Sequence, residues 1–283
     1  TEFNEANPDI NLNVEVVSWN DIYTVVNTRI ANGEAPDVLN IDVFADYQAD
    51  DLLLPIQDVV SEETYSKMYD AFLAQSEVDG TVWAIPDLAS ARAMYYNKDI
   101  LDAAGVEVPT TWDEFIDVCD TLKNKEITPI AFGNSDKWYT MWYVGQFNAN
   151  FVNKDVRTAD YNPSSGTFTD EGYVKAVQTF LDLNDAGYLG KNVNSKDYYQ
   201  VREEFAAGKQ AMILDATSQF SFYTGAMGED GYGYFKIPIP DGATGDEAST
   251  IVTGGSENYA ISAETKHPDE AVKFLKFLTE STG

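Results

Sequence analysis

The side chains best equipped for recognition are aromatic. Trp138, Tyr139, Trp142 and Tyr143 follow one another at helical spacing, so one helix face carries Trp138 and Trp142 and the other Tyr139 and Tyr143. A ring exposed on such a face can stack on an apolar ligand surface, the reading taken for Trp138, and the same stripe can be core, the reading taken for Trp142. A second group, Asn40, Asp42, Val43 and Phe44, stands at the carboxyl end of the short apolar run at 36–42, where open α/β sheets take their ligands. Asp42 is also a fitting turn former. Arg92 lies inside 84–99, AIPDLASARAMYYNKD, an extended run that enters a helix start. A strand of this kind can leave one lobe and enter another, and its guanidinium is either a ligand contact or one half of an ion pair. Gly254, Gly255 and Ser256 open a second passage of this type, in which the glycines act as backbone hinges or present their amides.

Nucleophilic and metal chemistry are poorly served. Cys119 is the single cysteine, which excludes an internal disulfide, and its apolar and acidic neighbours suit a buried small hydrophobe. The single histidine, His267, stands beside Pro268 at a helix start, distant in sequence from Cys119. Neither a Cys-His-Asn nor a Ser-His-Asp site assembles readily from these residues. No catalytic residue, metal ligand or cofactor is expected.

The chain has 283 residues, with 47 acidic and 18 basic side chains and a net charge of −29. Phosphate contacts need clustered Lys and Arg, so partners such as nucleic acid or an anionic membrane surface are not expected. The surplus acid reads as a solvated surface that keeps the protein soluble. A hydrophobic content of 44% with 13% aromatics supports packed cores, and the length suits two lobes of ordinary size. No run is long and apolar enough to span a bilayer, and no signal peptide is read in these residues.

The elements that must position these residues alternate between strand and helix. Residues 1–7 read as a helix end stopped by Pro8. Leu12, Val14 and Val16 alternate with polar residues as in a half-buried strand. A helix from Ser18 to Gly33 and a strand at 36–42 complete an expected βαβ unit. Asp79-Gly80 predicts a tight turn before a strand at 81–85, with Trp83 in its core. Thr111-Trp-Asp-Glu114 predicts a capping box, and Phe115, Val118, Cys119 and Leu122 continue that helix's apolar face. Strands follow at 128–132, 211–215 and 231–237, helices at 172–186 and 198–207, and a loop at 238–246. Tyr95 and Tyr96 read as packing residues, and a last helix starts at His267-Pro268.

Several segments, in this order, resemble one family. They are 7–15 (NPDINLNVE), 17–21 (VSWND), 31–37 (ANGEAPD), 96–99 (YNKD), 109–115 (PTTWDEF), 208–212 (GKQAM), 253–256 (TGGS) and 267–278 (HPDEAVKFLKFL). Together they resemble the carbohydrate-type extracellular solute-binding proteins of ABC transporters, the group that includes maltodextrin-binding protein. The resemblance implies an α/β, two-lobed periplasmic-binding-protein-like fold, a ligand cleft between the lobes, and hinge closure on binding. The lobes expected are 1–89, 90–255, and 256–283 returning to the first. Family members begin earlier and continue further, so the chain reads as partial at both ends.

The same resemblance implies site residues. The first crossing falls near 88–92, where a carboxylate common in the maltodextrin type corresponds to Ser90, beside Arg92. Asp136 and Trp138 match positions that hydrogen-bond and stack on sugar. Where that type has a stacking Trp after the Ala-Met strand, this chain has Ser218 with Phe220 nearby, which implies a smaller or differently shaped ligand. Asn40, Asp42 and Phe44 fall in the first-lobe loop, and Gly254, Gly255 and Ser256 in the later crossing. A sugar offers apolar C–H faces and an equator of hydroxyls, which suits flat rings with carboxylate acceptors and guanidinium donors. The partners implied are a mono- or oligosaccharide and the permease subunits, for a monomer held outside the cell by a lipid anchor or in the periplasm. Two other readings stay open: a polyamine or metal drawn by the acid, and a glycoside hydrolase, whose carboxylate pair has no recognisable setting here.

Overall fold

Every residue of strand Gln210–Ala216 is buried, and the second of the two compact units of the chain is built around it. The computed structural model describes residues 1–59, 61–68, 70–162, 166–243 and 253–280, excluding the side chains at 71, 87–89, 253–256 and 280. The expected loop at 238–246 lies partly outside the described residues, and so does the side chain of Ser256. The first unit comprises Thr1–Ser90 and Gly254–Gly283, and the second comprises Ala91–Thr253. The chain passes from one to the other within strand Ile85–Asn97 and returns at the start of strand Thr253–Ser262.

In the second unit, Gln210–Ala216 pairs antiparallel with Ile85–Asn97, placing Arg92 opposite Ala216 and Tyr96 opposite Met212. On its other side it runs parallel to Thr128–Ile130. Tyr232–Phe235 pairs with the far edge of Ile85–Asn97, opposite Met94 to Asn97. A fully apolar run such as AMIL forms a strand because both its faces meet packed side chains. Helices Trp112–Asn124, Thr140–Phe151, Glu171–Asp185, Tyr198–Ala206 and Phe220–Met227 supply that packing. The expected capping box is present: Glu114 N–H donates to Thr111 Oγ1 at 3.3 Å, and Thr111 N–H donates to Glu114 Oε2 at 3.2 Å. Phe115, Cys119 and Leu122 of that helix are fully buried, and burial pushes the Cys119 thiol far up, against nucleophilic use.

In the first unit, Val38–Ile41 pairs antiparallel with Thr253–Ser262, Asn40 opposite Tyr259 and Ile41 opposite Asn258. Helix Ile22–Ala31 packs Val26 into the cluster of Leu39, Ile41, Phe44, Tyr47 and Leu53. Phe3 meets Phe274 and Phe277 of helix Pro268–Glu280 edge to face, at 5.2 and 5.3 Å between ring centroids. The turn at Asp79-Gly80 joins the hairpin Glu77–Val78 and Thr81–Val82, both turn residues taking positive φ, 52° and 79°.

The strand expected at 12–16 is not formed. Val14 is 60% exposed and Val16 91% exposed, and among the described residues no strand pairs with this segment. Alternation marks a strand only where a neighbour supplies hydrogen bonds and an apolar layer receives the side chains. The expected βαβ unit therefore reduces to a helix followed by a strand, whose partner comes from far along the chain. The helix itself starts at Ile22 with Asp21 as its N-cap, and Ser18 instead hydrogen-bonds the Asp21 carboxylate at 3.1 Å.

Candidate functional site

The parallel pairing of Thr128–Ile130 with Gln210–Ala216 brings the loops at their carboxyl ends to one edge of the second unit. Arg92, the ladder partner of Ala216, brings the start of the antiparallel strand to that edge. Three sequence segments thus meet there: Arg92, the loop at 131–139, and the turn Thr217–Gln219. The Ala91 N–H donates to Thr217 Oγ1 at 3.1 Å and ties the first to the third.

The aromatic helix divides as its spacing demands. Trp138 and Tyr139 lie in the turn before helix Thr140–Phe151; Tyr139 and Tyr143 are completely buried, while Trp138 and Trp142 remain half-buried. The two indoles lie 5.4 Å apart between centroids, and the Arg92 guanidinium sits 4.1 Å over the Trp142 ring. Burial lowers the Arg92 pKa, and the Asp215 carboxylate acts in the opposite sense to retain its charge. Tyr198 backs both indoles, its ring 5.0 Å from Trp138 and 5.5 Å from Trp142.

Asp136 has a structural partner here. Its Oδ2 accepts from the Tyr198 N–H at 3.0 Å, in the first turn of helix Tyr198–Ala206, while the N-cap Asp197 serves Gln200 at 2.7 Å. Ser218 is exposed on its turn, and Phe220 is half-buried against Tyr95 and Tyr234, at 5.4 and 5.0 Å. The second unit therefore gathers Arg92, Asp136 and Trp138 on one side of its strand ends and places Ser218 and Phe220 in and just after the following turn.

The first unit arranges its residues differently. Asp42 is exposed at the carboxyl end of Val38–Ile41 and accepts from the Tyr23 hydroxyl, which in turn accepts from the Val43 N–H at 3.0 Å. Asn40 Nδ2 is buried without a hydrogen-bond partner among the described residues, an unusual state for a donor. Phe44, expected at the site, is only 5% exposed and packs in the core with Val26 and Tyr47, because the chain turns into helix Ala45–Ala49 immediately after it. Ser90 is likewise buried, at 3%. Gly254, Gly255 and Ser256 belong to strand Thr253–Ser262.

Other residues of this region escape a sequence reading. Asp215 ends an apolar strand and is fully buried, yet it accepts from the Tyr198 hydroxyl at 2.8 Å, the Tyr223 hydroxyl at 2.5 Å and the Ala216 N–H at 2.7 Å. Burial raises its pKa to about 6 against the lowering effect of these donors. Arg202 donates to Gln219 at 2.9 Å and lies 4.1 Å over the Phe222 ring. The available signal was an acid ending a run of apolar residues, AMILD, which a buried strand tolerates only with dedicated donors. Cavities of about 350 Å³ beside Val108 and Val118, and of about 220 Å³ beside Met68 and Leu275, are lined by none of the expected site residues. Among the described residues no cluster of His, Cys, Asp and Glu could hold a metal, and no helix is long and apolar enough to cross a membrane.

Comparison with known proteins places this arrangement. The chain is 29% identical over 291 aligned positions to a putative binding protein of Brucella abortus, covering 98% of this chain and 66% of that protein. It is 28% identical to the multiple sugar-binding protein of Streptococcus mutans, covering 98% and 66%. The chain thus spans just under two thirds of the length of these relatives. A solved structure from work on xylan utilization by the thermophilic bacterium Caldanaerobius polysaccharolyticus superposes with a TM-score of 0.87 at 26% identity, covering 99% of this chain and 72% of that one. The fold is that of the two-lobed sugar-binding solute receptors, as the sequence segments implied. The model of the bacterial extracellular solute-binding protein family matches residues 1–283, and the chain belongs to that family.

Proposed function

We propose that this chain is the sugar-recognising part of an ABC transporter's extracellular binding component, which captures a mono- or oligosaccharide and hands it to the permease without chemistry of its own. The observation that carries the reading is the half-buried Trp138–Trp142 pair with the Arg92 guanidinium over it, at the carboxyl ends of the second unit's parallel strands. The half-buried Trp138 ring suits the apolar face of a pyranose, and the guanidinium stacked on the neighbouring Trp142 donates to its hydroxyls. Asn40 contributes an unsatisfied buried donor in the first unit, and Asp42 an exposed carboxylate. The sugar-binding relative and the xylan-utilization structure support a carbohydrate over a polyamine or a metal. In the second unit Ser218 and Phe220 are proposed contacts as well, and in the first unit so is the backbone of Gly254, Gly255 and Ser256. Phe44 and Ser90 act by packing. The protein works as a monomer outside the membrane, held by a lipid anchor or free in the periplasm.

A thermal-shift screen with maltotriose, xylotriose, raffinose, chitobiose, spermidine and divalent cations tests this. Ligands of the native state raise the melting temperature by mass action, by about 2.7 kcal/mol of added stability at a hundredfold excess over Kd. Stabilisation by a sugar alone supports the reading, and stabilisation by spermidine or a cation alone overturns it. Release of chromophore from nitrophenyl glycosides would overturn the absence of catalysis.

A further inference from the structure

We propose that Asp215, acting through the hydroxyl of Tyr198, is a positioning residue for the Trp138–Trp142 platform: it holds the ring on which both indoles rest and touches no ligand itself. The proposal deepens the sugar-binding reading and rests on it for the platform's role.

Tyr198 is the hub of the platform. Its N–H is held by Asp136 at 3.0 Å and its hydroxyl by Asp215 at 2.8 Å. Between these two anchors its ring meets Trp138 at 5.0 Å, Trp142 at 5.5 Å and Tyr139 at 5.2 Å. Asp215 is 0% exposed and also receives the Tyr223 hydroxyl, so one carboxylate joins helices Tyr198–Ala206 and Phe220–Met227 to the end of strand Gln210–Ala216. Two other tyrosine hydroxyls nearby are committed to the main chain: Tyr95 donates to the Ala216 carbonyl at 3.0 Å, and Tyr139 to the Leu214 carbonyl at 2.6 Å. A buried carboxylate is costly, and a strand end needs no charge to pack. Its geometric effect is to fix the tilt of Tyr198, and with it the platform.

The groups that face Asp215 come from each element packed on it. They are Arg92 and Tyr95 on Ile85–Asn97, Tyr139 and Tyr143 at and in helix Thr140–Phe151, Tyr198 and Arg202 on Tyr198–Ala206, and Tyr223 on Phe220–Met227. Below its pKa of about 6 the neutral acid accepts these hydroxyl protons more weakly than the carboxylate does, and the hold on Tyr198 loosens.

The test compares wild type with Asp215→Asn, Tyr198→Phe and the double variant, each in the full chain. Near-ultraviolet circular dichroism, which reports the aromatic cluster without ligand, is followed against pH, and binding of xylotriose and raffinose is measured by calorimetry. In the wild type the aromatic signal titrates with a midpoint near pH 6; in Asp215→Asn that transition is absent, and in Tyr198→Phe it shrinks to the part that Tyr223 reports. Affinity for the bound probe falls about tenfold in each single variant, and the double variant is no weaker than either. An unchanged titration in Asp215→Asn, or additive losses in the double variant, overturns the proposal. Tyr198→Phe keeps the ring and removes only the hydroxyl, so it carries the same decision should Asp215→Asn fail to fold. If neither probe binds the wild type, the carbohydrate reading is what weakens, and the aromatic titration still decides the role of Asp215.

Discussion

At the scale of single residues, a side chain's partners decide its role more than its type does. Trp138 and Tyr139 are neighbours in sequence, yet one remains half-buried on a face shared with Trp142 and the other is sealed in the core with its hydroxyl on the Leu214 carbonyl. Truncation of Trp138 to alanine should weaken sugar binding by about 1–3 kcal/mol, as for an aromatic anchor, when measured by calorimetry. Equal affinity would return Trp138 to the core. Asp215 makes a prediction for stability as well. Its folded pKa, about 6, lies above the ordinary 3.8, so between these values the native state keeps a proton that the unfolded chain releases. The contribution is complete below the ordinary value and is lost as pH rises through about 6. Relative to Asp215→Asn, the wild type should therefore lose stability in urea unfolding between acid and neutral pH, on the order of 2–3 kcal/mol for a pKa raised from 3.8 to about 6. A parallel pH dependence in the two proteins would contradict the buried charge. Asp136 shows how much of this was legible beforehand: its place in the loop was readable, but its bond to the Tyr198 N–H, sixty-two positions away, was not.

At the scale of elements, local signals were legible wherever the interaction is itself local. The capping box at Thr111 and Glu114 spans one helical turn and appears as written in the sequence. Glu114 also takes the Thr110 N–H and hydroxyl, and these donors hold its carboxyl below the usual range. Its contribution is therefore present at neutral pH and lost as pH falls. Thr111→Ala should cost about 1 kcal/mol in denaturant unfolding, and a change near zero would mean that the helix is held by packing alone. The turn at Asp79-Gly80 has the same local character, because both residues must take positive φ. The segment at 12–16 shows the opposite case. Its alternation satisfies the pattern of a strand, but a strand is a relation between two segments, and among the described residues the second is not there.

At the scale of the whole molecule, the net charge of −29 acts against the folded state through self-repulsion. Raising ionic strength from about 10 mM to about 150 mM shortens the Debye length from roughly 30 Å to roughly 8 Å, so the melting temperature should rise. A fall would show that attractive pairs outweigh the repulsion. The ion pairs among the described residues argue for the rise: Glu15–Arg29 and Glu63–Lys67 are solvent-exposed and worth little, and Lys196–Glu204 is half-buried.

The sequence by itself determined the family, the α/β class, the capped start of helix Trp112–Asn124 and the division of the aromatic residues into two pairs. Each of these depends on neighbours within a few residues, or on an ordered set of segments, and both are written directly in the chain. Only the tertiary structure decided that Val38–Ile41 pairs with a strand more than two hundred residues later, that Phe44 and Ser90 pack inward, and that Asp215 joins two helices beneath the platform. The physical reason is that burial and hydrogen-bond partnership at long sequence separation are properties of the assembled core, where a residue's surroundings come from segments that carry no mark of one another in the sequence.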